Sequence, residues 1–161
     1  MKQRVQQHSG FTLIEMVVTV ALVAVLASII VPMAQMTVQR TKEQELRIAL
    51  REIRSAIDAY KKAGDEGRVY RSGMTTGYPR SLKILVEGVP DQQDPKSRKI
   101  FFLRRIPRDP LATNKSLSPE TTWGLRSYAS EAEAPQPGDD VYDVYSLNPG
   151  IGLNGIPYKE W

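Results

Sequence analysis

The sequence predicts an α+β fold: a long N-terminal α-helix, apolar in its first half and amphipathic in its second, packed on a small antiparallel β-sheet. Three observations carry this. An apolar run follows a short basic leader and passes into a helical-period stripe, with no Gly between Gly10 and Gly64. Two later segments, Trp123–Ser130 and Val141–Leu147, alternate with period two as strands do. The region after Gly64 holds too little apolar residue for a core of its own, so the helix stripe must supply one wall.

The first ten residues carry Lys2 and Arg4 and no acid. Phe11–Gln39 follows, and Glu15 is its only charge. From Met16 the run lasts about 24 residues, and a helix needs roughly 20 to cross a bilayer. The basic leader favours a cytoplasmic N-terminus. A secretory signal peptide would have a shorter apolar region with its small-residue break afterwards. Here the break, Ser9-Gly10, comes first. An ordinary signal anchor fits the length but gives no reason for Glu15. A buried soluble helix does not suit this length at the start of a chain.

Glu15 decides among these readings. A carboxylate within a membrane segment is costly and usually has a partner. No cation stands elsewhere in the segment. Cleavage after Gly10 creates one, the α-amino group of Phe11, a helical turn before Glu15. The competing reading is a carboxylate lying at the membrane–water interface. Gly10 suits a cut site because it can adopt the backbone geometry that a protease cleft demands.

Gly10-Phe11-Thr12-Leu13-Ile14-Glu15, ahead of an apolar helix, resembles the class III signal of type IV pilins and type II secretion pseudopilins. The resemblance implies a pilin-like fold. It also implies a leader, residues 1–10, removed by a prepilin peptidase at Gly10–Phe11, with methylation of the new N-terminal Phe11. Glu15 then docks subunits together. Residues 11–39 would be the transmembrane and assembly helix.

Pro32 sits late in this run. It removes one helix hydrogen bond and crowds a carbonyl, so a kink or local melting is expected. Family pilins have a Pro near this place, where the helix loosens in the filament. That makes Pro32 an assembly residue, against the plainer reading of a passive kink.

Residues 40–63 continue the helix. Leu46, Leu50, Ile53, Ile57 and Tyr60 recur on one face, with Ala49 and Ala56 beside them. Glu43/Arg47, Arg54/Asp58 and Asp58/Lys62 are spaced for pairs on the wet faces. The whole helix, from Phe11 to about Lys62, would be roughly 75–80 Å long.

The globular part, residues 64–161, opens with a polar break. A short helix follows Tyr78-Pro79, capped by Ser81 and ended by Gly88. Pro90–Lys99 is a charged loop. Ile100–Ile106 is short and apolar before the turn at Pro107-Arg108-Asp109-Pro110. A Gly-rich tail ends the chain.

This half resembles the major pseudopilin (protein G family) of type II secretion systems. Tyr78-Pro79, the segment Leu103–Pro110, the strand start Trp123-Gly124 and the strand Tyr142–Ser146 carry the likeness. Ala112–Pro119 and Glu131–Asp140 look like insertions. Relatives often bind calcium in the last loop through Asp side chains. Here that loop, Leu147–Trp161, has Glu160 as its only acid, and Asn148 stands where an acidic ligand is usual. Asp139, Asp140 and Asp143 leave calcium open but disfavoured, since a hard dication prefers several charged oxygens. No other cofactor is expected.

The resemblance implies a bacterial inner-membrane protein with a single pass and a periplasmic globular domain. It would polymerise with copies of itself, and its partners would be the prepilin peptidase, the inner-membrane assembly platform, minor pseudopilins and the lipid bilayer. The filament would help export folded proteins. A type IV pilin serving adhesion, motility or DNA uptake is the alternative, as is a minor pseudopilin. The chain has no Cys, whereas such pilins often carry a C-terminal disulfide loop. Its single His8 lies in the leader, so a processed chain lacks the usual residues of nucleophilic, general-base and zinc chemistry. No enzyme activity is expected. With 22 basic and 18 acidic residues well mixed, no sustained basic face is predicted and nucleic acid is not an expected partner.

Overall fold

The computed structural model describes residues 10–71, 73 and 75–161, apart from the side chains at 29 and 32. The leader up to Ser9, and the packing expected of the Pro32 ring, lie outside the described residues. The elements are α1 (Leu13–Asp65), α2 (Leu82–Glu87), β1 (Val89–Pro90), β2 (Lys99–Ile100), β3 (Trp123–Arg126) and β4 (Asp143–Ser146). Two 3-10 turns, Glu120–Thr122 and Tyr158–Glu160, complete them. The chain divides into two compact units, one up to Gln39 and one from Arg40.

In the first unit α1 is apolar on every side. It is long and apolar enough to cross a membrane, and the described chain buries none of that stretch. The backbone is helical through position 32. Local melting, one of the two outcomes expected there, does not occur in the single chain. One lost hydrogen bond leaves the neighbouring turns with theirs.

In the second unit the predicted stripe forms the core. Leu46, Leu50, Ile53 and Ile57 are buried, with Ala49 and Ala56. They pack with Leu82 and Leu85 of α2, Leu103, Trp123, Val141, Val144 and Tyr158. Tyr60 is half-buried and meets the Phe102 ring edge-on at 5.4 Å. The stripe works because positions three and four apart lie on one face of a helix.

The end of α1 differs from expectation. Gly64 lies inside the helix, and Gly67 stops it with φ 74°. The Arg68 N–H reaches the Ala63 carbonyl at 2.8 Å and the Gly67 N–H reaches Gly64 at 3.1 Å. This pair of bonds is the Schellman arrangement, which needs a left-handed residue at Gly67. The Arg68 guanidinium then grips Asp91 at 2.7 Å, and this bond holds the Asp91 carboxyl below its ordinary range. Ser81 precedes α2 but makes no side-chain cap bond, whereas Gly88 does end it, its N–H on the Ile84 carbonyl.

The sheet is two separate antiparallel ladders. β3 and β4 pair with Trp123 opposite Ser146 and Arg126 opposite Asp143. The Tyr145 ring lies across Gly124, where a Cβ would clash with it. β1 pairs with β2 over two residues each. The expected strands are longer than the observed ones. After Ile100 the N–H groups of Phe102 and Leu103 both turn to the Leu85 carbonyl. Ser127 leaves β3 to bond Gln136, and Val141 bonds Pro79.

Asp109 ties these pieces together at only 1% exposure. Its carboxylate accepts the Ser146 hydroxyl at 2.6 Å and the Leu111 N–H at 2.7 Å. The Thr122 hydroxyl accepts its main-chain N–H at 3.1 Å. Asp109→Ala strands a buried hydroxyl and an amide. An unmade buried bond costs about 1–3 kcal/mol, so the expected loss is about 3 kcal/mol. Thermal melting of the variant, followed by circular dichroism, checks this; an unchanged midpoint contradicts it.

Candidate processing and assembly site

Gly10, Phe11 and Thr12 precede the helix and lie outside regular structure. Among the described residues nothing stands within 4 Å of a side chain built on Gly10, and Phe11 is 81% exposed. The Gly10–Phe11 peptide is therefore open on its surroundings. Thr12 sets the start of α1: its Oγ1 accepts the Glu15 N–H at 3.3 Å, and its carbonyl accepts the Met16 N–H at 3.2 Å. Thr12 is the N-cap and Glu15 the third helical position, the spacing of a capping box.

This geometry adds something the sequence reading missed. Glu15 stands in the first turn of α1. Helix N-termini carry partial positive charge and stabilise a carboxylate there. So the helix end itself offers Glu15 some compensation before any cation arrives. The Thr-x-x-Glu spacing of Thr12 and Glu15 was the available signal. Leu13, Ile14, Met16, Val17 and Val18 around it are all exposed. Chemically the site offers an accessible, non-helical peptide bond, then a capped helix with one carboxylate on an otherwise apolar surface.

Comparison with known proteins bears on both halves. Residues 6–31 match the model of the prokaryotic N-terminal methylation motif. Type II secretion system core protein G of Pectobacterium carotovorum is 31% identical over 141 residues, 84% of this chain and 83% of that protein. The chain belongs to the core protein G family. Core protein G of Pseudomonas aeruginosa is 28% identical over 137 residues, covering 84% of this chain and 91% of its own. The Klebsiella pneumoniae protein is 28% identical over 159 residues, covering 94% and 89%. No solved structure gives a significant match.

Within this core protein G member, the residues expected to pair on wet helix faces are used otherwise. Glu43 is 7% exposed, and its Oε1 accepts the Leu153 N–H and the Tyr158 hydroxyl, each at 2.9 Å. It lies three residues before Leu46, on the buried stripe rather than beside it. Arg54 reaches Asp143 at 2.7 Å and the Trp161 main-chain oxygen at 2.7 Å. Arg47 lies over the Trp161 ring at 4.4 Å. These three side chains fasten the C-terminal tail to α1.

Of the three carboxylates weighed for calcium, Asp140 and Asp143 are engaged by the protein. Asp140 accepts the Tyr128 N–H at 2.9 Å and the Thr76 hydroxyl. Asp143 is held between Arg54 and Arg126. Asn148 accepts the Gly150 N–H at 2.8 Å and donates to the Leu111 carbonyl at 3.0 Å. Its amide shapes the loop by hydrogen bonds that a carboxylate could only half supply. Among the described residues no three His, Cys, Asp or Glu side chains converge as a metal site would need.

Thr12→Ala removes the side-chain cap, a change of about 1 kcal/mol at a helix start. Amide exchange measured in micelles is expected to quicken at residues 13–16 and nowhere in the second unit. Unchanged exchange at Glu15 contradicts the cap.

Proposed function

We propose that this chain is the major structural subunit of a type II secretion pseudopilus and acts mechanically, not as an enzyme. The observation that carries the reading is the exposed Gly10–Phe11 bond, set two residues before a capped helix whose first half is apolar but for Glu15 in its first turn.

That arrangement supports the following sequence of events. The precursor sits in the inner membrane as a single pass, with its leader cytoplasmic and its globular unit periplasmic. A prepilin peptidase cuts at Gly10–Phe11, and the amine of Phe11 is methylated and stays cationic. That cation joins a helix end already partly positive, and Glu15 is the carboxylate within one turn of it. In the polymer Glu15 pairs with the amine of a neighbouring copy. Helices leave lipid for each other. Lipid tails are as apolar as the helix, so close packing and such polar contacts supply the gain.

Pro32 is proposed as the place where α1 loosens when copies pack. The assembly platform of the inner membrane and minor pseudopilins are the proposed partners in growth, and export of folded proteins its result. Calcium and nucleic acid have no part in this mechanism.

Glu15→Val tests the docking step in cells that assemble the filament. The variant is expected to stay in the membrane at normal abundance, while sheared fractions contain no filaments by electron microscopy. Filaments of normal number and length from the variant overturn the role of Glu15.

A further inference from the structure

The tip of the C-terminal tail, residues 151–157, has a form that the globular fold alone does not require. It is tightly built. Ile151 and Pro157 form a β-bridge. The Gly152 N–H bonds the Ile156 carbonyl at 2.9 Å, and the Gly155 N–H bonds Gly152 at 2.9 Å. The Trp161 indole N–H caps the Ile156 carbonyl at 3.1 Å. Yet this stiff loop points aliphatic side chains outward. Ile151 is 61% exposed, Leu153 46% and Ile156 44%. A preformed apolar tip of this kind marks a binding surface rather than a solvated turn.

Its position says what covers it. The Leu153 N–H is bonded to Glu43, three residues after Arg40, where the second unit begins. Three residues of chain span at most about 11 Å. The tip is therefore tied to the opening turns of the second unit, whose first residue follows the apolar run directly in sequence. Headgroup regions flank the hydrocarbon core on each side and bring the bilayer to about 40–45 Å. The exposed charges on flanking residues are of both signs: Arg40, Lys42 and Lys159 against Glu45 and Glu160. The aliphatic side chains, with the Trp161 indole beside them, must then supply the attraction, as at membrane interfaces.

We infer that residues 151–156 rest in the headgroup–acyl boundary of the bilayer before assembly, through Ile151, Leu153 and Ile156. The inference rests on residues 11–39 being a membrane span. A tethered bilayer is also present at an effective concentration that a second copy, arriving by diffusion, does not match.

The chain lacks Cys, so a single introduced one takes a fluorophore at one place. Full chains carrying Leu153→Cys or Ile156→Cys are labelled with an environment-sensitive dye. They are reconstituted sparsely in phosphatidylethanolamine–phosphatidylglycerol vesicles. Val25→Cys reports the span. Lys96→Cys reports the loop tied by Asp91 to Arg68, at the other end of the helix's second half. Lipids spin-labelled near the headgroup are expected to quench most emission at 153 and 156 and none at 96. Quenching at 25 by deep spin labels, with 153 and 156 behaving like 96, overturns the inference and leaves the span intact. No quenching at 25 overturns both. Protection at 153 that grows with protein-to-lipid ratio, without lipid quenching, assigns the tip to a second copy and also overturns it.

Discussion

The first half of α1 presents apolar side chains in every direction, and none of the described residues covers them. That surface must be met by lipid or by other copies of the same helix. The rest of the molecule is arranged around this requirement. The second unit keeps its core to itself: every core residue lies beyond Arg40. Exchange of lipid for neighbouring copies along residues 11–39 therefore need not disturb the globular fold. One helix thus serves two solvents, and the change of pattern near Arg40 divides them.

Glu15 is the exception on that surface, and the structure refines why it is tolerated. It stands in the first turn of the helix, with its N–H on Thr12. Helix ends stabilise opposite charge only within their first or last turn. A carboxylate deeper in the run would lack even that. The same turn is where an amine at Phe11 would appear. In the proposed mechanism, position as well as charge suits this residue to switch partners between its own helix end and a neighbour.

Much of this was legible in the sequence because it depends on period and length. The apolar run, the stripe Leu46–Ile57, the short helix ended by Gly88 and the paired strands around Trp123 and Val144 all follow from local pattern. What was not legible depends on contacts between distant residues. Glu43 reads as a wet-face residue by its charge, yet it is buried because the tail supplies two donors more than a hundred residues away. Gly64 reads as a helix stop, but the stop is Gly67, where the two closing hydrogen bonds meet. Asp109 lay within a segment noted for its resemblance, and its burial against Ser146 explains that segment as a structural clasp. β2 ends at Ile100 because the Leu85 carbonyl draws the N–H groups of Phe102 and Leu103 out of any ladder. The capping-box spacing of Thr12 and Glu15 is, by contrast, a local pattern and readable from the sequence.

The central claim is that the peptide bond before this helix is cut and the new end modified. Intact mass spectrometry of the membrane-extracted protein, produced alongside a prepilin peptidase, tests it most directly. The expected product is a chain that begins at Phe11 and carries the mass of one added methyl group. A chain that retains Met1–Gly10 in the presence of active peptidase would contradict it.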